Sequence, residues 1–522
     1  MSGPSCPTTV PVGEDTTVPL RMLHGLAPET LNLHTHTMLS FLYSFLPKPP
    51  VSTLAPLCCA ATAAAADGSA DRLSCLPDDL LRRVLSRLPA KDSARTTVLS
   101  SRWRGLWRSV PLVLVDTHLL SRGDAECRPA RAGAVSRAVT DAVSAALKAH
   151  PGPFPFVSLT CSFMDATDRR VLARWFQILA TKGVDELVFV NRPWPLPGLP
   201  LPSSLFSCAS LSRLCLGAWV FPDTTALPRG AGFPNLRELV LGCVVMKDKD
   251  LEFLLAVSPV LEILAFHGSL ASLQARIANQ SLRCAQFCLS ILEEVAVVNA
   301  PSLERLFLWR NWSERGRVGA MSTTVKIGHA PKLRVLGYLE PGVHILQIGS
   351  TIIKAGTKAS ARTTVSSLQM LALQVHFGDR SQVKMLPSFL RCFPNLEKSF
   401  LEENTSNRSL KFWQETSPIE CVQSYLKTLS FCELQGNDHE FDFIMFIVEN
   451  ALKLERLIIQ IKQDLTYTER QVVVAKLGYL SCANWANTNC KVRFEVSSNP
   501  IGSSWSIEAG SDLSSDDPFS CL

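Results

Sequence analysis

A six-residue phrase, Leu-x-x-Leu-x-Leu or a close variant, returns along most of this chain and constrains its architecture more than any other feature. It stands at LSRLCL from Leu211, LRELVL from Leu236, LEILAF from Leu261, LERLFL from Leu303, LRVLGY from Leu333, LQMLAL from Leu368, LKTLSF from Leu426 and LERLII from Leu454, with weaker copies from Val184, Leu282 and Leu396. The ten anchors from Leu211 to Leu454 lie about 27 residues apart on average, a period that fits one supersecondary unit per copy. One such unit cannot bury its own apolar side. The phrase therefore predicts a short parallel strand in each copy, with the fourth and sixth positions pointing inward and the neighbouring copy covering them.

The period is that of leucine-rich repeats, and a second signal shares its phase. Pro precedes the anchor at Phe233-Pro234-Asn235-Leu236, Ser258-Pro259-Val260-Leu261, Ala300-Pro301-Ser302-Leu303, Ala330-Pro331-Lys332-Leu333 and Phe393-Pro394-Asn395-Leu396, where a missing donor ahead of a strand costs least. Asp248 to Val257, with Leu251, Leu254 and Leu255 facing in, and Gln382 to Cys392 read as return helices. Anchors lie 21 to 35 residues apart, so the solenoid is irregular. Ahead of the array, Arg131 to His150 reads as a helix and Phe154 to Cys161 as a first strand. Strand positions that alternate with the buried ones point to solvent, among them Arg213, Glu238, His267, Arg305, Phe307 and Trp309. Arg305, Phe307 and Trp309 are of the types that dominate binding hot spots, and with His267 they form the candidate target surface. In the rival reading, Phe307 and Trp309 are covered by the N-terminal helices or an adjacent loop.

Between Asp71 and Pro111 the pattern changes. LPDDLLRRVLSRLP runs from Leu76 to Pro89 and SSRWRGLW from Ser100 to Trp107. Pro77 suits the first helical position, where its missing N–H has no intrahelical partner to lose, and Asp78 and Asp79 place negative charge at the positive end of the helix dipole. Leu80, Leu81, Val84, Leu85 and Leu88 make an apolar stripe with Arg82, Arg83 and Arg87 off it, and Pro89 ends the helix. Asp92 is placed to cap a second helix carrying Ala94, Val98 and Leu99, and Ser100 or Ser101 a third carrying Trp103, Leu106 and Trp107. Three helices this short cannot bury all of that apolar surface among themselves, which calls for a partner protein. From Arg72 to Arg108 there are nine basic residues and three acidic ones, so this stretch carries the same formal +6 as the whole chain. Such charge steers an acidic partner. A DNA-reading helix would expose Asn, Gln or Arg, whereas the third helix gives two positions to Trp.

On Leu76-Pro77, Leu80-Leu81, Val84, Leu85, Leu88-Pro89, Val98-Leu99-Ser100 and Arg102-Trp103-Arg104, the segment resembles an F-box. That resemblance implies docking on an acidic Skp-type adaptor and, through it, on a cullin-RING ubiquitin ligase. The implied contact set is Leu76, Pro77, Leu80, Leu81, Val84, Leu85, Leu88, Pro89, Val98, Leu99 and Trp103. The irregular array resembles that of plant F-box proteins with leucine-rich repeats. Residues 417–496 resemble the FBD module that follows such repeats, on Tyr425-Leu426-Lys427-Thr428-Leu429, on Leu452-Lys453-Leu454-Glu455-Arg456-Leu457, and on a helical face of Phe443, Phe446, Ile447 and Ala451 within Glu440 to Ala451. An FBD there would cap the solenoid and hide its last apolar edge.

The chain is thus read as α/β, with a disordered N-terminal extension at 1–70 and a three-helix F-box at 71–115. A leucine-rich-repeat solenoid of parallel strands and return helices follows at 125–415, then an FBD region at 417–496 and a flexible acidic tail at 503–522. No Gly-rich phosphate loop follows a strand and no Gly-x-Ser-x-Gly occurs, so no enzyme is read. The 17 Cys lack extracellular-style pairing and no Cys-x-x-Cys occurs, which predicts reduced thiols in a cytoplasmic or nuclear protein. Cys58-Cys59, Cys284 with Cys288, and His34 with His36 lack zinc-finger spacing, so neither metal nor cofactor is called for. The apolar run from Leu39 to Leu46 is too short to span a bilayer. The leading function is a non-catalytic substrate receptor whose repeats hold an unidentified protein target. A repeat scaffold without ligase attachment is the alternative, and a nucleic-acid binder the weaker third.

Overall fold

The computed structural model describes residues 42–43, 46–51, 75–119, 132–191, 199–225, 227–269, 272–309, 322–403, 413, 418–496 and 507–519. They divide into two compact units, one running to Met246 and including 257–260, the other comprising 247–256 and everything from Leu261 onward.

The first unit opens with helices α1 (Asp78–Arg87), α2 (Ala90–Arg95) and α3 (Ser101–Ser109). Pro77 is the N-cap of α1 and not its first residue, and Pro89 both follows α1 and caps α2. Asp92 therefore lies inside α2, where it pairs with Arg95 at 2.9 Å, and Val98 and Leu99 fall on a 3-10 turn at Thr96–Val98 and the residue after it. Ser100 caps α3, its hydroxyl accepting the Trp103 N–H. Strand β1 (Val113–Val115) comes next, then α4 (Ala132–Ala149), β2 (Phe156–Leu159), α5 (Arg169–Thr181), β3 (Glu186–Val190), β4 (Arg213–Gly217) and β5 (Glu238–Gly242). The strands run parallel in chain order, β1-β2-β3-β4-β5. Val184, Leu211 and Leu236 are fully buried two residues before β3, β4 and β5.

The repeat phase extends beyond the strands. Pro234 sits at the second position of a turn closed by the Leu236 N–H on the Phe233 carbonyl, a place that suits its fixed φ. Asn235 then reaches back to the Ala209 carbonyl at 3.0 Å, tying one repeat to the one before. Ala218 (φ 57°) and Cys243 (φ 53°), each seven residues after its anchor, leave the strand in the left-handed region.

The described part of the N-terminal extension is packed and not loose. Leu42 is buried over the slot left by two glycines: a Cβ on Gly242 would lie 2.1 Å from Leu42 Cδ1, and one on Gly217 2.6 Å from Leu42 Cδ2. Tyr43 donates to the Thr160 carbonyl at 3.2 Å. The rest of the expected disorder at 1–70 falls outside the described residues, apart from 46–51, where Val51 is also buried.

The second unit begins with α6 (Asp248–Ala256), which buries Leu251, Leu254 and Leu255 as its spacing predicts. Its main sheet is parallel in the order β6 (Ile263–His267), β8 (Cys284–Cys288), β10 (Arg305–Trp309), β12 (Val335–Leu339), β15 (Met370–Val375), β16 (Lys398–Glu403), β17 (Thr428–Leu434), β18 (Arg456–Ile461) and β19 (Lys491–Val496). Leu261, Leu282, Leu303, Leu333, Leu368, Leu396, Leu426 and Leu454 are each buried two residues ahead of a strand.

The return segments are mixed, which differs from the all-helical expectation. Helix α7 (Arg380–Arg391) follows β15, but four earlier returns are the strands β7 (Leu273–Ala278), β9 (Leu292–Asn299), β11 (Thr323–His329) and β13 (His344–Ile348), with β14 (Thr351–Ile352) at their edge. Between Leu261 and Leu303 the anchors are 21 residues apart, and each return is a strand. A strand covers more distance per residue than a helix and so closes a short repeat. Leu273, Ala275 and Ile277 face in while Gln274 and Arg276 face out, the alternation of a half-buried strand.

The C-terminal region adds α8 (Glu420–Ser424), α9 (Asp438–Asn450) and α10 (Tyr467–Tyr479). Phe443, Phe446, Ile447 and Ala451 are buried as predicted, and Glu440 accepts backbone N–H groups from Gln435, Gly436 and Asn437 to cap α9. The last edge is not hidden: Val492, Phe494 and Val496 of β19 are 37%, 50% and 52% exposed, although they pair in register with the buried Leu457, Ile459 and Ile461 of β18.

Candidate docking surfaces

Helix α1 carries apolar residues on two sides, and α3 decides which side faces in. Leu81 and Leu85 are fully buried, together with Trp103 and Leu106 of α3. Three of the expected contact residues, Leu81, Leu85 and Trp103, therefore form the module's own core instead of its surface. One helical position earlier, Leu80 and Val84 are 43% and 41% exposed; Val98 and Leu99 are 82% and 63% exposed. Pro77 is exposed, and Leu76, Leu88 and Pro89 are half-buried. Four large apolar side chains in solvent within twenty residues, beside an already filled core, are a surface built for a partner.

The charges around it divide cleanly. Asp78 pairs with Arg102, Asp79 with Arg82 at 3.3 Å and Asp92 with Arg95 at 2.9 Å, so each acidic group among the described residues of the module is met by an arginine. Arg83, Arg87, Arg104 and Arg108 are exposed. Pairs this accessible contribute little to stability, but the remaining cations give the surface a positive field.

The module is anchored to the repeats of its own unit by a buried joint. Trp107 meets the His150 ring edge-on at 4.9 Å, and His150 meets Phe154 at 5.1 Å. The His150 Nε2 bonds the Val110 carbonyl at 3.0 Å, and burial lowers its pKa to about 4. Just after β1, the buried Asp116 accepts the N–H groups of both Thr160 and Cys161 at 2.7 Å.

The predicted target residues have a different fate. His267, Arg305, Phe307 and Trp309 are all buried, 2%, 4%, 0% and 7% exposed, so none is a solvent-facing contact. Burial pushes the His267 pKa down to about 3, which keeps it neutral and removes it as a surface cation. Arg213 and Glu238 do lie at the accessible edge of the strands, where Arg213 bridges Glu186 at 3.0 Å and Glu238 at 2.7 Å.

What covers Arg305 and Phe307 is the segment 507–519, which begins with the short helix α11 (Ile507–Ser511). The expectation of a loose acidic tail at 503–522 is corrected for these residues. The Arg305 guanidinium donates to the carbonyls of Gly510 at 3.1 Å, Asp512 at 3.0 Å and Ser515. Gln286 donates to the Ile507 carbonyl at 3.2 Å and the Ser511 hydroxyl at 2.5 Å. Lys398 meets Asp517 at 2.6 Å, and Phe519 packs among Phe307, Tyr338 and Phe400 with ring centroids 6.0, 5.9 and 4.2 Å away.

Among the described residues, no group of three or more His, Cys, Asp or Glu is placed to hold a metal ion, and no helix is long and apolar enough to cross a membrane. The described cysteines are free thiols. Burial pushes Cys208, Cys243, Cys284, Cys392 and Cys421 up to about 12, away from thiolate chemistry.

A helical module with an exposed apolar and basic face, followed by a parallel-strand repeat array, is the layout of a protein-binding adaptor. Comparison with known families makes this specific. The family model "F-box domain" matches residues 73–114, "FBD-associated F-box protein At5g56370, LRR repeats" matches 172–399 and "FBD" matches 414–459. The chain thus carries an F-box domain, leucine-rich repeats and an FBD. Similar proteins of Arabidopsis thaliana include the "Putative FBD-associated F-box protein At1g05080", 24% identical over 76% of this chain and 92% of its own length. The "F-box/FBD/LRR-repeat protein At5g56420" is 25% identical over 81% and 99%, and the "FBD-associated F-box protein At4g13985" is 29% identical over 78% and 93%. These domain families are typically non-catalytic adaptors, and an F-box joined to leucine-rich repeats points to a substrate-adaptor role in ubiquitin ligation.

Proposed function

We propose that this chain is a substrate receptor of a Skp-cullin-F-box ubiquitin ligase and contributes no covalent chemistry of its own. Leu76, Pro77, Leu80, Val84, Leu88, Pro89, Val98 and Leu99 dock an acidic Skp-type adaptor, with Leu81, Leu85 and Trp103 supporting them from inside. The adaptor links the chain to a cullin-RING ligase, while the repeats hold a protein target for ubiquitin transfer.

The observation that carries this reading is the exposure of Leu80, Val84, Val98 and Leu99 on a module whose core is already complete. Folding leaves these side chains in water, and burying each against a partner is worth on the order of 1–2 kcal/mol. Arg83, Arg87, Arg104 and Arg108 favour an acidic partner and speed its encounter.

Co-expression with a Skp-type adaptor followed by affinity capture tests it. The wild-type chain retains the adaptor, and Leu80→Glu with Val84→Glu loses it while keeping its melting temperature. Failure of the wild-type chain to retain any adaptor would instead favour a repeat scaffold without ligase attachment.

A further inference from the structure

The array's outward strand face is the natural place for a target, and on part of it this chain seats a piece of itself. Cys284, Gln286, Arg305, Phe307, Lys398 and Phe400 occupy outward positions of β8, β10 and β16. These positions normally meet solvent in a repeat array, yet Arg305 is 4% and Phe307 0% exposed. Such groups belong to a recognition site more than to a core. Arg305 presents its guanidinium to three main-chain carbonyls of 510, 512 and 515, and Gln286 takes a fourth carbonyl at 507. Cys284 directs its thiol to the Gly510 carbonyl at 3.4 Å as well.

Most of these contacts hold a backbone, with the Ser511 hydroxyl met by Gln286 at 2.5 Å as a side-chain contact at this end. Stronger selectivity comes from the other end of the segment. There Lys398 takes the Asp517 carboxylate at 2.6 Å, while Phe519, two residues on and 1% exposed, fills an aromatic pocket of Phe307, Tyr338 and Phe400. The neighbouring Asp516 is 94% exposed, 3.9 Å from Arg334, and adds to the attraction without being enclosed.

We propose that this face is the peptide-binding site of the repeats, and that residues 507–519 are its resident, self-supplied occupant. The external partner it takes is a short acidic segment able to adopt the same helix-then-turn course, with a carboxylate two residues before an aromatic ring, held by Lys398 and the Phe307/Tyr338/Phe400 pocket. The identification of that partner with the ubiquitylation target rests on the receptor reading above; the existence of the site does not. The tail is joined to β19 by ten residues, so it competes for the site as part of the same chain, without having to be captured from solution. A target must outcompete it, which makes occupancy of the site conditional and not constitutive.

The test uses the full chain with a protease site inserted between 497 and 506, cut after folding. The probe is a fluorescein-labelled peptide of residues 507–519, read by anisotropy. The cut chain should bind the probe saturably at one to one, and the uncut chain about tenfold or more weakly. Phe519→Ala or Asp517→Lys in the probe should each weaken binding by about tenfold or more. Lys398→Glu in the chain should lose the wild-type probe and regain the Asp517→Lys probe. The proposal is overturned if the cut chain keeps its melting temperature but binds wild-type and Phe519→Ala probes alike. It is equally overturned if the cut tail never exchanges with excess probe, or if its release unfolds the repeats, since the segment is then a structural part of the core. Capture of a Skp-type adaptor by the same cut sample is measured separately: adaptor bound with no probe bound sinks the peptide site alone, and probe bound with no adaptor sinks the ligase reading alone.

Discussion

Asp116 offers the sharpest stability test, because one buried oxygen carries two bonds between the end of the F-box module and the first repeat. Its Oδ2 accepts the N–H groups of Thr160 and Cys161, both at 2.7 Å, and the residue is 0% exposed. Asp116→Ala leaves two buried donors unsatisfied, each costing about 1–3 kcal/mol, so local opening becomes easier by about 2–5 kcal/mol. Asp116→Asn keeps a carbonyl oxygen able to take both N–H groups and loses the charge, costing about 1–2 kcal/mol. Hydrogen exchange of a peptide spanning Phe156 to Cys161 reads this directly. Asp116→Ala should speed its exchange about thirtyfold or more, and Asp116→Asn substantially less. Exchange within threefold of wild type in Asp116→Ala, or equal acceleration in both variants, would refute the argument.

Leu42 belongs to the same unit: it is 1% exposed over Gly217 and Gly242, so Leu42→Ala should lower the unfolding free energy of this unit by about 2–4 kcal/mol, and urea titration followed by tryptophan fluorescence checks it. His150 predicts an acid limb. Its pKa is about 4 in the fold and near 6.5 unfolded, so the unfolded chain binds the extra proton between those values. Stability should be flat above about pH 6.5, fall by about 1.4 kcal/mol per pH unit from this group down to about pH 4, and show a shallower limb in His150→Gln.

Much of this fold is legible in the chain because one short phrase sets the strand, its buried face and its phase together. Even the weak copies at Val184, Leu282 and Leu396 each lie two residues ahead of a strand. The strand returns are not legible in the same way: the return helix at α6 carries a clear apolar spacing, whereas at Leu273–Ala278 the two-residue alternation runs for only six residues. In α1 the stripe is evident, but neighbours such as Leu80 and Leu81 lie about 100° apart around the helix, and spacing cannot choose which of them is buried before α3 is packed against the helix. The tail was least legible. Its Asp and Ser content reads as solvated, whereas what seats it is Arg305 and Lys398, more than a hundred residues away in sequence. Burial of Arg305 and Phe307 depends on that distant match and not on any local pattern.

The most direct measurement is the dissociation constant for a purified Skp-type adaptor, by titration calorimetry, of the wild-type chain against two variants. Val98→Asp with Leu99→Asp alters side chains that are 82% and 63% exposed, while Leu81→Met alters one that is fully buried. The outward pair should weaken binding about a hundredfold or more with no change in melting temperature, while the inward change shifts the melting temperature and leaves affinity within about threefold. Unchanged affinity in the outward pair would contradict the account at its centre.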